Sequence, residues 1–110
     1  MNDRTPGFVV LYRWRLHPGT EEQFTAAWSE FIAHLLRQRG SLGSRLHRGP
    51  DGLWYGYAQW PDEPTRRAAF AENELHDARA RMRAAIAESL PELVLDPVAD
   101  FLMLPGASDE

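Results

Sequence analysis

Two strand-like runs, Leu42 to Arg48 and Leu53 to Trp60, are separated by Gly49-Pro50-Asp51-Gly52, and a β-hairpin is the arrangement that accommodates this order. If those four residues alone make the turn, Leu42, Ser44 and Leu46 lie beside Gln59, Tyr57 and Tyr55 on one face. The other face then carries Gly43, Arg45, His47, Trp54, Gly56, Ala58 and Trp60. Aromatic residues fall on both faces, so neither is suited to water.

The flanking segments complete a simple order. Residues 8 to 16 alternate with Phe8, Val10, Tyr12, Trp14 and Leu16 on one side, which predicts a first strand. Pro18-Gly19 breaks it, and Thr20 with Gln23 forms a capping-box pattern that opens a helix. Phe24, Ala27, Trp28, Phe31, Ile32, Leu35 and Leu36 make its apolar stripe, and Gly40 stops it. After the hairpin, Pro61 to Pro64 opens a second helical region with a stripe of Leu75, Ala78, Met82, Ile86 and Leu90, ended by Pro91. Phe70 lies off that stripe, which predicts a break near Ala71 to Glu74. Val98 to Leu104 is expected as the last strand and Pro105 to Glu110 as a frayed polar terminus. The order β-α-β-β-α-β is a ferredoxin-like α+β domain on an antiparallel sheet.

A chain of 110 residues has room for one domain, taken as residues 1–110 with an ordered core of about 7–105. Its formal charge of -4 is spread over interspersed acidic and basic residues, which disfavours nucleic acid as a partner. The N-terminal residues lack a signal-peptide pattern and no apolar run is long enough for a membrane span, so the expected location is cytoplasmic, with no membrane partner. There is no cysteine, and all 12 basic residues are arginine. Thiolate nucleophiles, cysteine metal sites and lysine Schiff bases are thereby excluded.

Two helices cover only one face of a four-stranded sheet. The aromatic residues expected on the other face would form an apolar patch larger than monomers usually expose, and a second copy packed on it removes that patch from water. The expected assembly is a homodimer.

At this point three segments become informative together: Leu11 to Phe24 (LYRWRLHPGTEEQF), Gly40 to His47 (GSLGSRLH) and Trp54 to Pro61 (WYGYAQWP). They resemble the antibiotic biosynthesis monooxygenase-like proteins of the dimeric α+β barrel superfamily. The resemblance implies a dimeric barrel with ligand pockets between sheet and helices. It also implies one of several activities: oxidation of polycyclic aromatics by oxygen without a bound cofactor, haem degradation, or none assigned. Haem-degrading relatives use an asparagine on the first strand, a tryptophan ending the third and a histidine in the second helical region. Trp60 matches the tryptophan, but Tyr12 takes the asparagine's place and His76 lies too far along the chain. The resemblance therefore implies no haem, and no cofactor is expected.

The small residues Gly43, Gly56 and Ala58 share the expected face with Arg45, His47, Trp54 and Trp60 and could leave a space ringed by aromatic and basic groups. There, Trp54 and Trp60 would stack a flat ligand, Arg45 would stabilise a phenolate or enolate oxygen, and His47 would shuttle a proton. The competing structural reading makes the tryptophans core, lets the small residues admit close helix packing, and pairs Arg45 with an acid. Tyr12 could orient a substrate through its hydroxyl, and His76 could reach a pocket edge. Tyr55 and Tyr57 could likewise orient a substrate but fit a dimer core more readily, and His17 and His34 read as structural. No histidine pair has metal-ligand spacing, and nucleophile-elbow and phosphate-loop motifs are missing from the sequence. Two functions follow: a cofactor-independent monooxygenase acting on a small planar aromatic or polyketide-like substrate, or a non-catalytic or regulatory barrel that binds a small apolar ligand.

Overall fold

The computed structural model describes residues 7–102. They form β1 (Phe8–Leu16), α1 (Glu21–Gln38), β2 (Ser44–Arg48), β3 (Trp54–Trp60), α2 (Glu63–Ala71), α3 (His76–Ala85) and β4 (Ile86–Leu95). All strand pairs are antiparallel and the sheet order is β2-β3-β1-β4, the ferredoxin-like arrangement. Because β1 is paired on both sides, its even residues Phe8 and Val10 are pressed onto the helices. They join Ala58 and Trp60 of β3, Phe31 and Leu35 of α1, and Ala69 of α2 in one buried cluster. The stripe on α1 is buried at Phe24, Ala27, Phe31 and Leu35, at the three- and four-residue spacing of one helix face, whereas Leu36 is exposed.

The capping box expected at α1 does not form. Thr20 Oγ1 donates to the His17 carbonyl at 2.7 Å, and Gln23 Nε2 donates to the Arg81 carbonyl at 3.0 Å, so both side chains bind neighbouring chain instead of the helix's own first turn. At α2 the capping residue is Asp62, whose Oδ1 accepts from Thr65 N–H at 2.8 Å.

The helical region breaks between Ala71 and His76, as the displaced Phe70 indicated. Leu75 in this joint has φ 49°, a left-handed conformation costly for a branched side chain, and its packing on the core holds it there. Glu74 beside it accepts from Arg39 Nε at 2.8 Å and contacts His34 Nε2 at 2.7 Å, tying the joint to the end of α1.

The last strand lies elsewhere than expected. Helix α3 ends at Ala85, and Ile86 and Leu90, expected on its stripe, belong to β4. Residues 98–102 form no strand, while Met103, Leu104 and the polar terminus from Pro105 lie outside the described residues. The reason lies at Pro91, which biases Leu90 toward extended backbone and is tolerated in an edge strand where the ladder is interrupted. Leu11 pairs with Leu93 and Arg13 with Leu90, so β4 carries one extra residue around Pro91 and Glu92, a bulge opposite Tyr12.

Gly56 does not open a space. A Cβ built there would lie 2.8 Å from Cη2 of Trp14, so the missing side chain admits the indole. Gly56→Ala should therefore destabilise the fold by about 1–3 kcal/mol, measured by urea denaturation. An unchanged midpoint would mean that Trp14 moves aside freely.

The hydrogen bonds from Arg39 and His34 lower the Glu74 pKa from 4.5 to about 2. A depressed folded-state pKa contributes stability that is complete above the unfolded value and is lost as acid protonates the folded carboxylate. Thermal stability should thus fall between about pH 4.5 and about pH 2, and Glu74→Gln should remove this part of the acid sensitivity. Identical acid titrations of the two proteins would contradict the assignment.

Candidate active site

The ladder separates residues that the hairpin alone brought together. The turn closes through Gly49 N–H to the Leu53 carbonyl at 2.8 Å, with Asp51 Oδ1 accepting from Leu53 N–H at 3.1 Å. Leu53 is therefore part of the turn, and the pairs are Ser44 with Ala58, Arg45 with Tyr57, Leu46 with Gly56, His47 with Tyr55 and Arg48 with Trp54. One residue of shift sends every β2 side chain to the opposite face from that expected. Arg45 and His47 lie with Tyr57 and Tyr55 on the face away from the helices, while Trp54, Gly56, Ala58 and Trp60 face the helices with Tyr12 and Trp14.

Trp60 is 1% exposed, and its ring packs 6.1 Å from that of Phe70, so it is a core residue. Its Nε1 is buried without a hydrogen-bond partner among the described residues. Trp54 stands edge-on to Phe24 at 6.1 Å and carries the Arg48 guanidinium 5.9 Å from its ring centre. Arg45 and His47 are exposed and, with Trp28, Arg48 and Trp54, border an open depression of about 490 Å³ along the edge of β2. His76 is exposed at the first position of α3.

Of the residues singled out in the sequence, Tyr12 has the most developed surroundings. It lines a cleft of about 530 Å³ with Phe70, Ala71, Arg66, Arg67, Glu63 and Glu92, between the β1–β4 side of the sheet and α2. Its ring stacks on Trp14, with centroids 5.9 Å apart and planes 4° from parallel, and lies 6.4 Å from Phe70. Arg66 Nη1 donates to Tyr12 Oη at 3.1 Å, so the hydroxyl's oxygen is engaged as an acceptor while its proton faces no described acceptor. Burial, only partly offset by the Arg66 hydrogen bond, raises the Tyr12 pKa, and the group is a protonated donor at neutral pH.

Arg66 is the hub of the cleft. Its side chain is 15% exposed and meets two carboxylates: Glu63 Oε1 at 3.0 Å from Nε, and Glu92 Oε1 at 3.0 Å from Nη2. Burial opposes its charge, but hydrogen bonds to Glu63 and Tyr12 outweigh burial and raise its pKa above the usual guanidinium value. Sequence reasoning missed Arg66, Glu63, Glu92 and Phe70 as site residues. The Glu63/Arg66 pair, three apart at the start of a helix, was a visible signal. Glu92 was not visible as a strand residue while β4 was placed beyond it. Among the described residues no cluster of three histidine, cysteine, aspartate or glutamate side chains could hold a metal ion, and no helix is long and apolar enough to cross a membrane.

Comparison with known proteins agrees with this architecture. The sequence model of the family described as antibiotic biosynthesis monooxygenase matches residues 7–81. No curated protein sequence matches the chain. Among solved structures, the fold is similar to SnoaB, a cofactor-independent oxygenase from Streptomyces nogalater (21% identity, TM-score 0.70, covering 92% of this chain and 99% of that one). It is also similar to a protein from Chloroflexus aurantiacus J-10-fl provisionally assigned as an antibiotic biosynthesis monooxygenase (19% identity, TM-score 0.72, covering 86% and 95%). A conserved protein from Methanosarcina mazei Go1 shares the fold at 10% identity, with a TM-score of 0.71 and coverage of 84% and 94%. With a family model matched across most of its length and the ferredoxin-like sheet that the relatives share, the chain belongs to the antibiotic biosynthesis monooxygenase family.

Proposed function

We propose that this protein is a cofactor-independent monooxygenase that acts, as a homodimer, on a small planar aromatic or polyketide-like ketone held in the Tyr12 cleft. The observation that carries this reading is the Tyr12 hydroxyl, fixed by Arg66 on its acceptor side and left with a proton to donate into an open cleft beside Phe70. Such a donor stabilises the enolate oxygen that forms when a ketone loses an acidic C–H proton. The carbanion form then reduces dioxygen: a C–O bond forms, the resulting hydroperoxide loses water, and a ring CH₂ plus O₂ becomes a ring C=O plus H₂O. The substrate supplies the electrons. Phe70 and the Tyr12 face offer flat apolar surface for the rings. Membership of the family and the likeness to SnoaB support oxygen chemistry of this kind. The non-catalytic reading has one observation in its favour, the filling of the space over Gly56 by Trp14.

The homodimer is supported by apolar surface on β4 and beyond it, where Leu93, Leu95, Val98 and Phe101 are 43%, 44%, 97% and 93% exposed. Wild-type protein should behave in native mass spectrometry as twice the 12.5 kDa chain, and Leu93→Glu with Leu95→Glu should yield monomers. A monomeric wild type would remove the dimer from the proposal.

Anthrone, a planar tricyclic ketone with an acidic CH₂, is a suitable probe for oxygen-electrode assays. The wild type should consume oxygen without added cofactor, and Tyr12→Phe should lower kcat by about 100-fold, the loss typical of one oxyanion donor. No uptake above the spontaneous rate would overturn the monooxygenase reading, and an unchanged kcat in Tyr12→Phe would remove Tyr12 from it.

A further inference from the structure

The two carboxylates on Arg66 are not equivalent. Glu63 is the more fully engaged: its Oε1 accepts from Arg66 Nε at 3.0 Å, and its Oε2 accepts from Nη2 at 3.2 Å and lies 3.7 Å from Arg67 Nη2. Glu92 touches only Arg66 Nη2, as an ion pair at 3.0 Å, and accepts no hydrogen bond from another described residue. Its side chain is 41% exposed on the cleft wall. The cleft therefore presents one unspent proton donor, the Tyr12 hydroxyl, and one unspent acceptor, the Glu92 carboxylate, each held by a different nitrogen of the same guanidinium.

The register of β4 sets this pairing. Leu93 lies opposite Leu11, so Glu92 falls on the helix-facing side beside Tyr12, and the extra residue at Pro91 lets Leu90 return to the opposite side against Arg13.

The geometry points to Glu92 as the general base, acting on a planar ketone whose acidic C–H is conjugated with the carbonyl that Tyr12 holds; this rests on the reading of the cleft given above. The C–H bond breaks, the proton passes to the Glu92 carboxylate, and the electron pair moves through the conjugated system to the carbonyl oxygen as an enolate. Charge is conserved locally. Arg66 and Arg67 balance Glu63 and Glu92 beforehand; afterwards the protonated Glu92 leaves the protein side of the cleft with one excess positive charge opposite the negative enolate. Arg66 loses one of its two ionised partners at the moment when negative charge builds on the oxygen bonded to Tyr12, so more of its field is left for the oxygen that needs it.

Anaerobic exchange of the anthrone CH₂ protons in D₂O, followed by NMR, isolates this step from oxygen chemistry. Wild-type protein should accelerate exchange above the buffer rate, and Glu92→Gln should lose that acceleration by about 100-fold or more, as removal of a general base does. Glu92→Ala should be rescued by added acetate, a response that a purely structural role for Glu92 would not give. Equal exchange in wild type and Glu92→Gln, no acceleration by the wild type, or no rescue of Glu92→Ala would each overturn the assignment. Glu92-dependent exchange without oxygen uptake would keep the base and sink the monooxygenase reading. Undiminished oxygen uptake by Glu92→Gln would do the reverse.

Discussion

Two-sided pairing of β1 is the constraint on which the structure depends. A strand hydrogen-bonded to both β3 and β4 cannot rotate, so its alternation is converted without loss into two surfaces. One surface, from Phe8 and Val10 on to Tyr12 and Trp14, grades from sealed core to the wall of a cleft. The core end supplies the burial that keeps the helices in place. The cleft end borrows that rigidity, since the Tyr12 backbone pairs with Gly56 of β3 and its ring rests on Trp14 before Arg66 addresses its hydroxyl. Positioned this way, the hydroxyl loses little entropy when it engages a ligand.

Much of the fold was legible because its signals are periodic. The alternation of residues 8 to 16, the stripe on α1, and the displacement of Phe70 each report a geometric repeat that tertiary packing has no reason to override. What failed was counting. The hairpin turn contains Gly49 to Leu53, not four residues, because Asp51 captures the Leu53 N–H and extends the turn. Nothing about Leu53, an ordinary strand residue by type, announces that. Yet this single position decides that Arg45 and His47 leave the face of Trp54 and Trp60.

The strand β4 was lost for a related reason. Ile86 and Leu90 continue the helical spacing of Leu75, Ala78 and Met82, and a proline at 91 looks like a terminator. In the structure that proline interrupts a ladder instead of ending a helix, because an edge strand tolerates a missing N–H and a bulge absorbs the residue. Of the candidate site, Tyr12 was visible as an aromatic hydroxyl on the sheet. Arg66 was visible only as the partner of Glu63, and its link to Glu92 was not, since that comes from meeting across elements 26 positions apart in the chain.

The bulge on β4 also determines which kinds of sequence change the cleft can survive. The side to which Glu92 points is stored in its place directly before Leu93, whose pairing with Leu11 fixes the alternation, and several residue types could occupy position 91 without altering it. Deleting Pro91 would remove the bulge and let Glu92 pair regularly with Tyr12 on the same side, whereas one residue added between Glu92 and Leu93 would turn Glu92 away from the cleft. The cleft therefore tolerates substitution at Pro91 and even its loss, but an added residue between Glu92 and Leu93 would abolish the site while preserving the fold.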